Sequence, residues 1–443
     1  MIDKTHIIVA PATATGGAIA IIRMSGSGSI ALCDKFFRGK KSLCDAATHT
    51  AHYGTIVHGE RILDDVVVTI FRAPHSFTGE EAVEISTHGS RYIVSEIISL
   101  LCNGGARIAE AGEFSKRAFL AGRIDLSQAE AIADTIAADS KAALAMASTQ
   151  MRGSYSKTLE ELRQKLVELM SLLELELDFG EEDVEFADRT QLYAILNYTQ
   201  EVVQKLAKSF RIGNAIREGV CVAIVGEPNV GKSTLLNRLV GDDRAMVSDI
   251  AGTTRDTIED SCVIEDIRFR FIDTAGLHQT DDKLEQMGIE RTNKAIQQAD
   301  VIICVTEPEN MTFPEIEIGE HQHVIRVVNK MDTTTQQSGD DVLYISARCG
   351  TNIEQLENRL LDLFDTSSVH RGEAVVSNAR HYDALNRADL ALAVAKTAMD
   401  EHHYQECIVE DIRKATNALG EITGRITNDE ILQAIFSNFC IGK

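Results

Sequence analysis

Eight consecutive residues, Gly226-Glu227-Pro228-Asn229-Val230-Gly231-Lys232-Ser233, set two glycines, a lysine and a hydroxyl at the spacing GxxxxGKS. Glycines let backbone N–H groups turn inward around an anion, the amine adds a compact positive charge, and the hydroxyl oxygen is a magnesium ligand. The chemistry open to such a loop is the cradling of nucleotide phosphates. Asn229, Val230, Gly231, Lys232, Ser233 and Thr234 would line them, Lys232 would reach the outer ones as the catalytic cation, and Ser233 would ligate Mg²⁺. The pattern is specific only between a strand and a helix. The apolar run 220–225 and the helix-forming run 234–239 supply that context.

Three further patterns follow in the order a guanine-nucleotide site requires. Asp273-Thr274-Ala275-Gly276 comes after the apolar run 269–272; its carboxylate can hold Mg²⁺ and the Gly276 N–H can sense a γ-phosphate. Asn329-Lys330-Met331-Asp332 comes after the run 324–328 and matches NKxD. The Asp332 carboxylate would accept two hydrogen bonds from guanine, and adenine would leave that charge unpaired. Ser346-Ala347-Arg348, after 342–345, resembles a third base-contacting loop. Between the first two patterns lies Ser248-Asp249-Ile250-Ala251-Gly252-Thr253-Thr254-Arg255-Asp256, whose Thr253 or Thr254 hydroxyl could complete the Mg²⁺ shell in a loop that orders with the γ-phosphate. Leu277 follows DTAG and has no group to orient water. His278, Gln279, Asp281, Asp282 and Glu285 are all within reach along the chain, and chemistry alone does not choose among them.

These loops need a parallel sheet to hold them. Residues 219–366 alternate strand and helix patterns, which predicts an α/β unit with crossover helices. Residues 1–120 alternate short strand runs (7–9, 19–22, 66–71, 82–86) with glycine-bearing turns and carry a helical stretch over 91–102, an α+β pattern. From 127 to 213 the period becomes helical, with Leu159, Leu162, Leu166, Leu169 and Leu173 on one stripe, and helical periodicity returns from about 380. The acidic run 180–185 reads as a loop or helix terminus. Helices on both sides of the α/β segment predict that it is inserted in a helical-bundle domain. The expected domains are 1–120, 121–215 with 370–443, and 216–369.

Composition bounds the function. Of the 443 residues, 44% are hydrophobic and 25% charged, as in a soluble globular chain. Apolar runs such as 18–22 and 301–305 fall far short of the ~20 residues of a membrane span, and the acid Asp3 with no long apolar core argues against a secretion signal, so the expected location is the cytoplasm. Nine cysteines, none at CxxC or Cys/His metal spacing, point to neither a disulfide framework nor a zinc site. A net charge of −23 repels polyanions, so any RNA contact is local or assisted by a partner.

The ending Phe439-Cys440-Ile441-Gly442-Lys443, with Phe77-Thr78-Gly79-Glu80, Ala111-Gly112-Glu113-Phe114-Ser115 and the loops above, closely resembles the MnmE (TrmE) family of tRNA-modifying GTPases over nearly the whole chain. That resemblance implies an N-terminal tetrahydrofolate-binding domain that dimerises, a helical domain from both flanks, and the inserted GTPase domain. It implies hydrolysis stimulated by K⁺ where two GTPase domains meet, with Asn229, Ser248, Ile250 and Thr253 around the ion, Thr254 beside Ser233 at Mg²⁺, and Glu285 orienting water. A cation beside the β/γ-phosphates would replace an arginine finger and stabilise the transition state. For a 5-formyl- or methylene-tetrahydrofolate it implies Arg23, Glu84, Arg123 and Lys443. Cys440, in the family's signature, could place a useful thiol beside the substrate, but a Cys flanked by Phe439 and Ile441 is more often a small buried hydrophobe. Ser248 stands where the family often has Thr, Arg123 where Lys is common, and Ala20 and Ser90 where Gly is usual.

The family implies a homodimer working with an FAD-dependent partner, MnmG (GidA), in a heterotetrameric complex. FAD enters only through that partner, which would also hold most of the tRNA. The expected outcome is a C5 aminomethyl-type group on the wobble uridine, with folate donating the one-carbon unit. Two rivals share the GTPase signatures: a ribosome-assembly GTPase, which usually adds a basic RNA-binding domain, and a switch whose nucleotide state controls dimerisation alone.

Overall fold

The computed structural model describes residues 6–178, 189–241, 260–272, 293–319, 322–332, 341–364, 367–401, 404–437, 439, 441 and 442. The chain forms two compact units, Met1–Ala133 with Gly420–Lys443, and Asp134–Leu419.

The first unit is built on a seven-stranded sheet in the order β3-β4-β5-β6-β2-β1-β7, with β1 Ile7–Pro11, β2 Ile19–Ser25, β3 Phe37–Gly39, β4 Thr50–His58, β5 Arg61–Phe71, β6 Ala82–His88 and β7 Ala106–Ile108. Its neighbours are antiparallel except for the pair β1 and β7. Successive side chains of a strand point to opposite faces, so β2 sends Ala20, Ile22 and Met24 into the core and turns Ile21 and Arg23 to the other side. Helices Ser29–Phe36 and Arg91–Asn103 bury Ile30, Leu32, Val94, Ile97 and Leu101 against that apolar face.

The end of the chain closes this unit. Helix Asp429–Ser437 packs Leu432 and Phe436, with Phe439, on Leu126 and Ala129. Ile441 then bridges Ala111 antiparallel. Gly442 follows at φ +98°, where a Cβ would stand 2.2 Å from the Pro11 carbonyl oxygen, so only glycine allows this approach.

In the second unit, helix Ser154–Asp178 carries Leu159, Leu162, Leu166, Leu169 and Leu173, all buried as their spacing predicts. Helices Arg189–Glu218 and Ala379–Asp400 lie side by side, joined by Gln200 and Gln204, which donate to Asp389 at 2.9 and 3.0 Å. The second sheet runs β13-β12-β11-β8-β10-β9. Its strands are β8 Val220–Val225, β9 Asp260–Ile264, β10 Ile267–Ile272, β11 Val301–Thr306, β12 His323–Val328 and β13 Val342–Tyr344. Every residue of β8 and β11 is buried, as continuous apolar strands covered on both faces must be.

The α+β, helical and α/β parts expected from the sequence are thus present, with one difference. The second sheet is parallel from β13 to β10, but its edge strand β9 is antiparallel to β10. Only Glu265 and Asp266 separate the two strands, and Glu265 takes a positive φ of 51°. A two-residue connection is a hairpin and is far too short for a crossover.

Candidate nucleotide site and N-terminal pocket

The phosphate loop leaves the central strand β8 and enters helix Lys232–Val240, which starts two residues before the sequence pattern placed it. Gly231 turns the chain at φ +96°, and a Cβ there would lie 2.3 Å from the Asn329 side-chain nitrogen. Asn229 also has a positive φ, 66°. Val230 is buried and anchors the loop to the core, whereas Asn229, Ser233 and Thr234 face solvent. The Lys232 ammonium spans the loop, donating to the carbonyls of Gly226 and Glu227 at 2.8 Å each. Burial pushes its pKa below the ordinary lysine value. A phosphate at the helix N-terminus favours the charged form, so ligand and lysine stabilise each other there.

The base-side loops reach this cradle through one buried residue. Asn329, 3% exposed at the end of β12, donates from Nδ2 to the Val230 carbonyl at 2.9 Å and accepts at Oδ1 from the Ala347 N–H at 2.9 Å. Asn329, Val230 and Ala347 therefore hold three loops together. Asp332 is exposed, and its Oδ1 accepts from Ser346 Oγ at 2.6 Å. That bond, with the Asp332 backbone N–H, holds the carboxyl below the usual carboxylate range, keeping it an acceptor for a donor-bearing base edge. Lys330 pairs with Glu307 at 2.6 Å. Arg238 ties the third loop down by donating to the carbonyls of Ala347 at 3.1 Å and Arg348 at 2.8 Å.

In the first unit, β2 and β6 run antiparallel with Arg23 opposite Glu84, so the two candidates meet: Arg23 Nη2 and Glu84 Oε1 are 2.8 Å apart. Arg23 also donates to the Gly442 carbonyl at 3.2 Å and its guanidinium stands 5.8 Å from the Phe114 ring centroid. Both side chains line a cleft of ≈ 160 Å³ with Ser25, Phe71, Phe77, Thr78, Ala82 and Phe114. Arg123 does not line it; its stem lies against Gly79, next to pocket-lining Thr78. Beneath the cleft Ser25 Oγ meets Thr78 Oγ1 and Glu80 Oε2 at 2.7 Å each. Arg117, with a side chain 1% exposed, joins Glu80 at 3.1 Å to Glu113 at 3.0 Å. The aromatic walls beside a carboxylate and a guanidinium suit a flat, hydrogen-bonding heterocycle with an acidic extension.

Several sequence-derived candidates lie outside the described residues: Ser248, Asp249, Ile250, Ala251, Gly252, Thr253, Thr254, Asp273, Thr274, Ala275, Gly276, Glu285, Cys440 and Lys443. Among the described residues no cluster of three or more His, Cys, Asp or Glu is placed to hold a metal ion, and no helix is long and apolar enough to cross a membrane. Sequence reasoning missed Arg117, Ser25 and Glu307 as parts of the sites. Glu80 and Thr78 stand in a quoted motif, but nothing in their spacing links them to Ser25 and Arg117.

Two family descriptions match: "GTP-binding protein TrmE N-terminus" over residues 7–123 and "MnmE helical domain" over 126–440. The tRNA modification GTPase MnmE of Flavobacterium johnsoniae is 46% identical over 466 residues, covering 100% of both chains. That of Cytophaga hutchinsonii is 45% identical, covering 100% of this chain and 98% of its own, and that of Bacteroides thetaiotaomicron 42%, covering 98% and 99%. Among solved structures, the G domain of the T. maritima FeoB iron transporter matches 32% of this chain and 98% of its own at 25% identity, with a TM-score of 0.25, too low to bear on the fold. Full-length identity above two fifths, with both family descriptions matched in order along one chain, means that the chain belongs to the MnmE family of tRNA modification GTPases.

Proposed function

We propose that this chain binds and hydrolyses GTP and, with an FAD-dependent partner, uses that cycle to install a carboxymethylaminomethyl-type group at C5 of the wobble uridine of certain tRNAs. The observation that carries the nucleotide reading is Asn329, which joins the phosphate loop at Val230 to the base-side loop at Ala347. The tRNA reading rests on full-length relatives named tRNA modification GTPase.

In the proposed reaction the N–H groups of residues 229–234 and the positive end of helix Lys232–Val240 bind the phosphates. Lys232 leaves the carbonyls of Gly226 and Glu227 for the β/γ-phosphates. Asp332, held ionised by Ser346, accepts from guanine. Ser233 offers Mg²⁺ a solvent-facing hydroxyl oxygen, the hard ligand that ion takes, and Asn229 offers K⁺ its amide oxygen. When bound, these cations supply positive charge beside the β/γ-phosphates. Asp273, Thr254, Ser248, Ile250 and Thr253 complete the two shells in this reading, and Glu285 orients the attacking water. If Glu285 does so, Glu285→Ala lowers kcat under K⁺ by about a hundredfold or more with GDP affinity unchanged. Phosphate-release kinetics in K⁺ and in Na⁺ check this; an unaltered rate removes Glu285 from the mechanism.

The cleft of the first unit would take the folate, its pterin between Phe77 and Phe114 and hydrogen-bonded to Glu84, its acidic tail toward Arg123 and Lys443. That unit dimerises in this reading, and the protein works in the cytoplasm. The domain limits proposed are 1–120, 121–215 with 370–443, and 216–369.

The test is mass spectrometry of nucleosides from bulk tRNA of cells lacking the gene, of the parent, and of a Lys232→Ala allele. Loss of a C5-aminomethyl uridine in both mutants is the expected result. Loss in the deletion alone makes hydrolysis secondary, and an unchanged profile in both removes the tRNA reading.

A further inference from the structure

Strand β11 ends at Thr306, and the chain then makes a tight turn in which Glu307 and Asn310 form an antiparallel bridge, with the Asn310 N–H donating to the Glu307 carbonyl at 3.2 Å. Thr306, 4% exposed, closes the turn from below by donating its hydroxyl to the Asn310 carbonyl, while its own carbonyl accepts from the Asn329 N–H at 2.8 Å. The two ends of the turn reach different loops. Glu307 Oε2 stands 2.6 Å from Lys330 Nζ on the base side, and Asn310 Nδ2 donates to Glu227 Oε2 at 3.2 Å on the phosphate side. Thr306, Glu307 and Asn310 belong to no nucleotide signature, whereas Asn329, Lys330 and Glu227 do.

Lys330 carries the longest side chain of its loop. It follows the buried Asn329, takes a left-handed backbone at φ 64°, and precedes the exposed Asp332. A four-carbon stem carries large rotamer entropy, which a base that packs on it must overcome unless the far end is already anchored. The Glu307 carboxylate is such an anchor, a charge-assisted hydrogen bond at short range. We propose that Glu307 is a positioning residue for guanine recognition: by fixing Lys330 at its tip it makes the lysine stem a preformed wall of the base site and sets how long guanine nucleotides stay bound. This inference rests on the GTP-binding reading and extends it to a residue outside the signatures.

The experiment is release of fluorescently labelled GDP from the full chain, followed by stopped flow. In Glu307→Gln the dissociation rate should rise about five- to tenfold and KM with it, while the association rate and kcat at saturating GTP each move less than about twofold. Glu307→Asp should recover most of the loss. The preference for GDP over IDP, which reports the donors read by Asp332, should not move. Lys330→Met should show a similar rise, and adding Glu307→Gln to it should have no further effect, because the interaction is already gone. An unchanged dissociation rate in Glu307→Gln overturns the proposal, as does full additivity with Lys330→Met. If Glu307→Gln does not fold, Lys330→Met and Glu307→Asp decide alone: normal release from Lys330→Met overturns it. A parent chain that binds no labelled GDP instead defeats the underlying nucleotide reading.

Discussion

Asn329→Ala lowers the affinity for GDP and GTP by about a hundredfold. The side chain is 3% exposed and makes two hydrogen bonds of 2.9 Å, to the Val230 carbonyl and from the Ala347 N–H. Alanine removes both partners and leaves a buried acceptor and a buried donor, each costing ~1–3 kcal/mol. The two loops then lose their common brace, and about 2.7 kcal/mol of lost preorganisation corresponds to a hundredfold in Kd. Asn329→Asp does no better, because an oxygen replaces the donor that faces the Val230 carbonyl. Isothermal titration with GDP checks both variants. A Kd for Asn329→Ala within about threefold of the parent would show that other contacts hold the loops.

Arg117→Met destabilises the first unit by about 2–3 kcal/mol, since it removes the buried cation shared by Glu80 and Glu113 and leaves Glu113 to Arg107 and the Glu110 N–H. The Arg117 and Glu113 side chains are 1% and 3% exposed. Burial alone would raise the Glu113 pKa, but the hydrogen bonds from Arg107, the Glu110 N–H and Arg117 outweigh it and hold the carboxyl below the usual glutamate range. A lowered folded pKa contributes stability above the unfolded value, ~4.3, and that stability disappears as pH falls through the folded value. The gap between parent and variant is therefore full at pH 7 and narrows below about pH 4. Scanning calorimetry across that range checks it; a gap that stays constant would mean that lost packing, and no charge, is responsible. Arg117 also holds Glu80 under Ser25 and Thr78, so the cleft beside Arg23 and Glu84 should lose its shape in the variant.

Much of this was legible along the chain. The glycine-lysine-serine spacing falls between strand β8 and helix Lys232–Val240, and the later DTAG, NKMD and SAR patterns are those a guanine-nucleotide site requires; both are readable because strand, turn and helix chemistry depend on neighbours a few residues apart. The same locality makes the buried runs of β8 and β11 and the leucine stripe of helix Ser154–Asp178 readable in advance. What the sequence determined by itself was therefore the set of local elements and the chemistry their loops offer. The tertiary structure decided which side chains meet. Asn329 reaches Val230 across 99 residues, Arg23 meets Glu84 across 61 and Gly442 across 419, and no local period records such pairings. The antiparallel turn of β9, the burial of Arg117 and the anchoring of Lys330 by Glu307 are of the same kind. Each follows from sheet register and from the need to pair every buried charge and polar group, conditions that exist only once distant segments pack together.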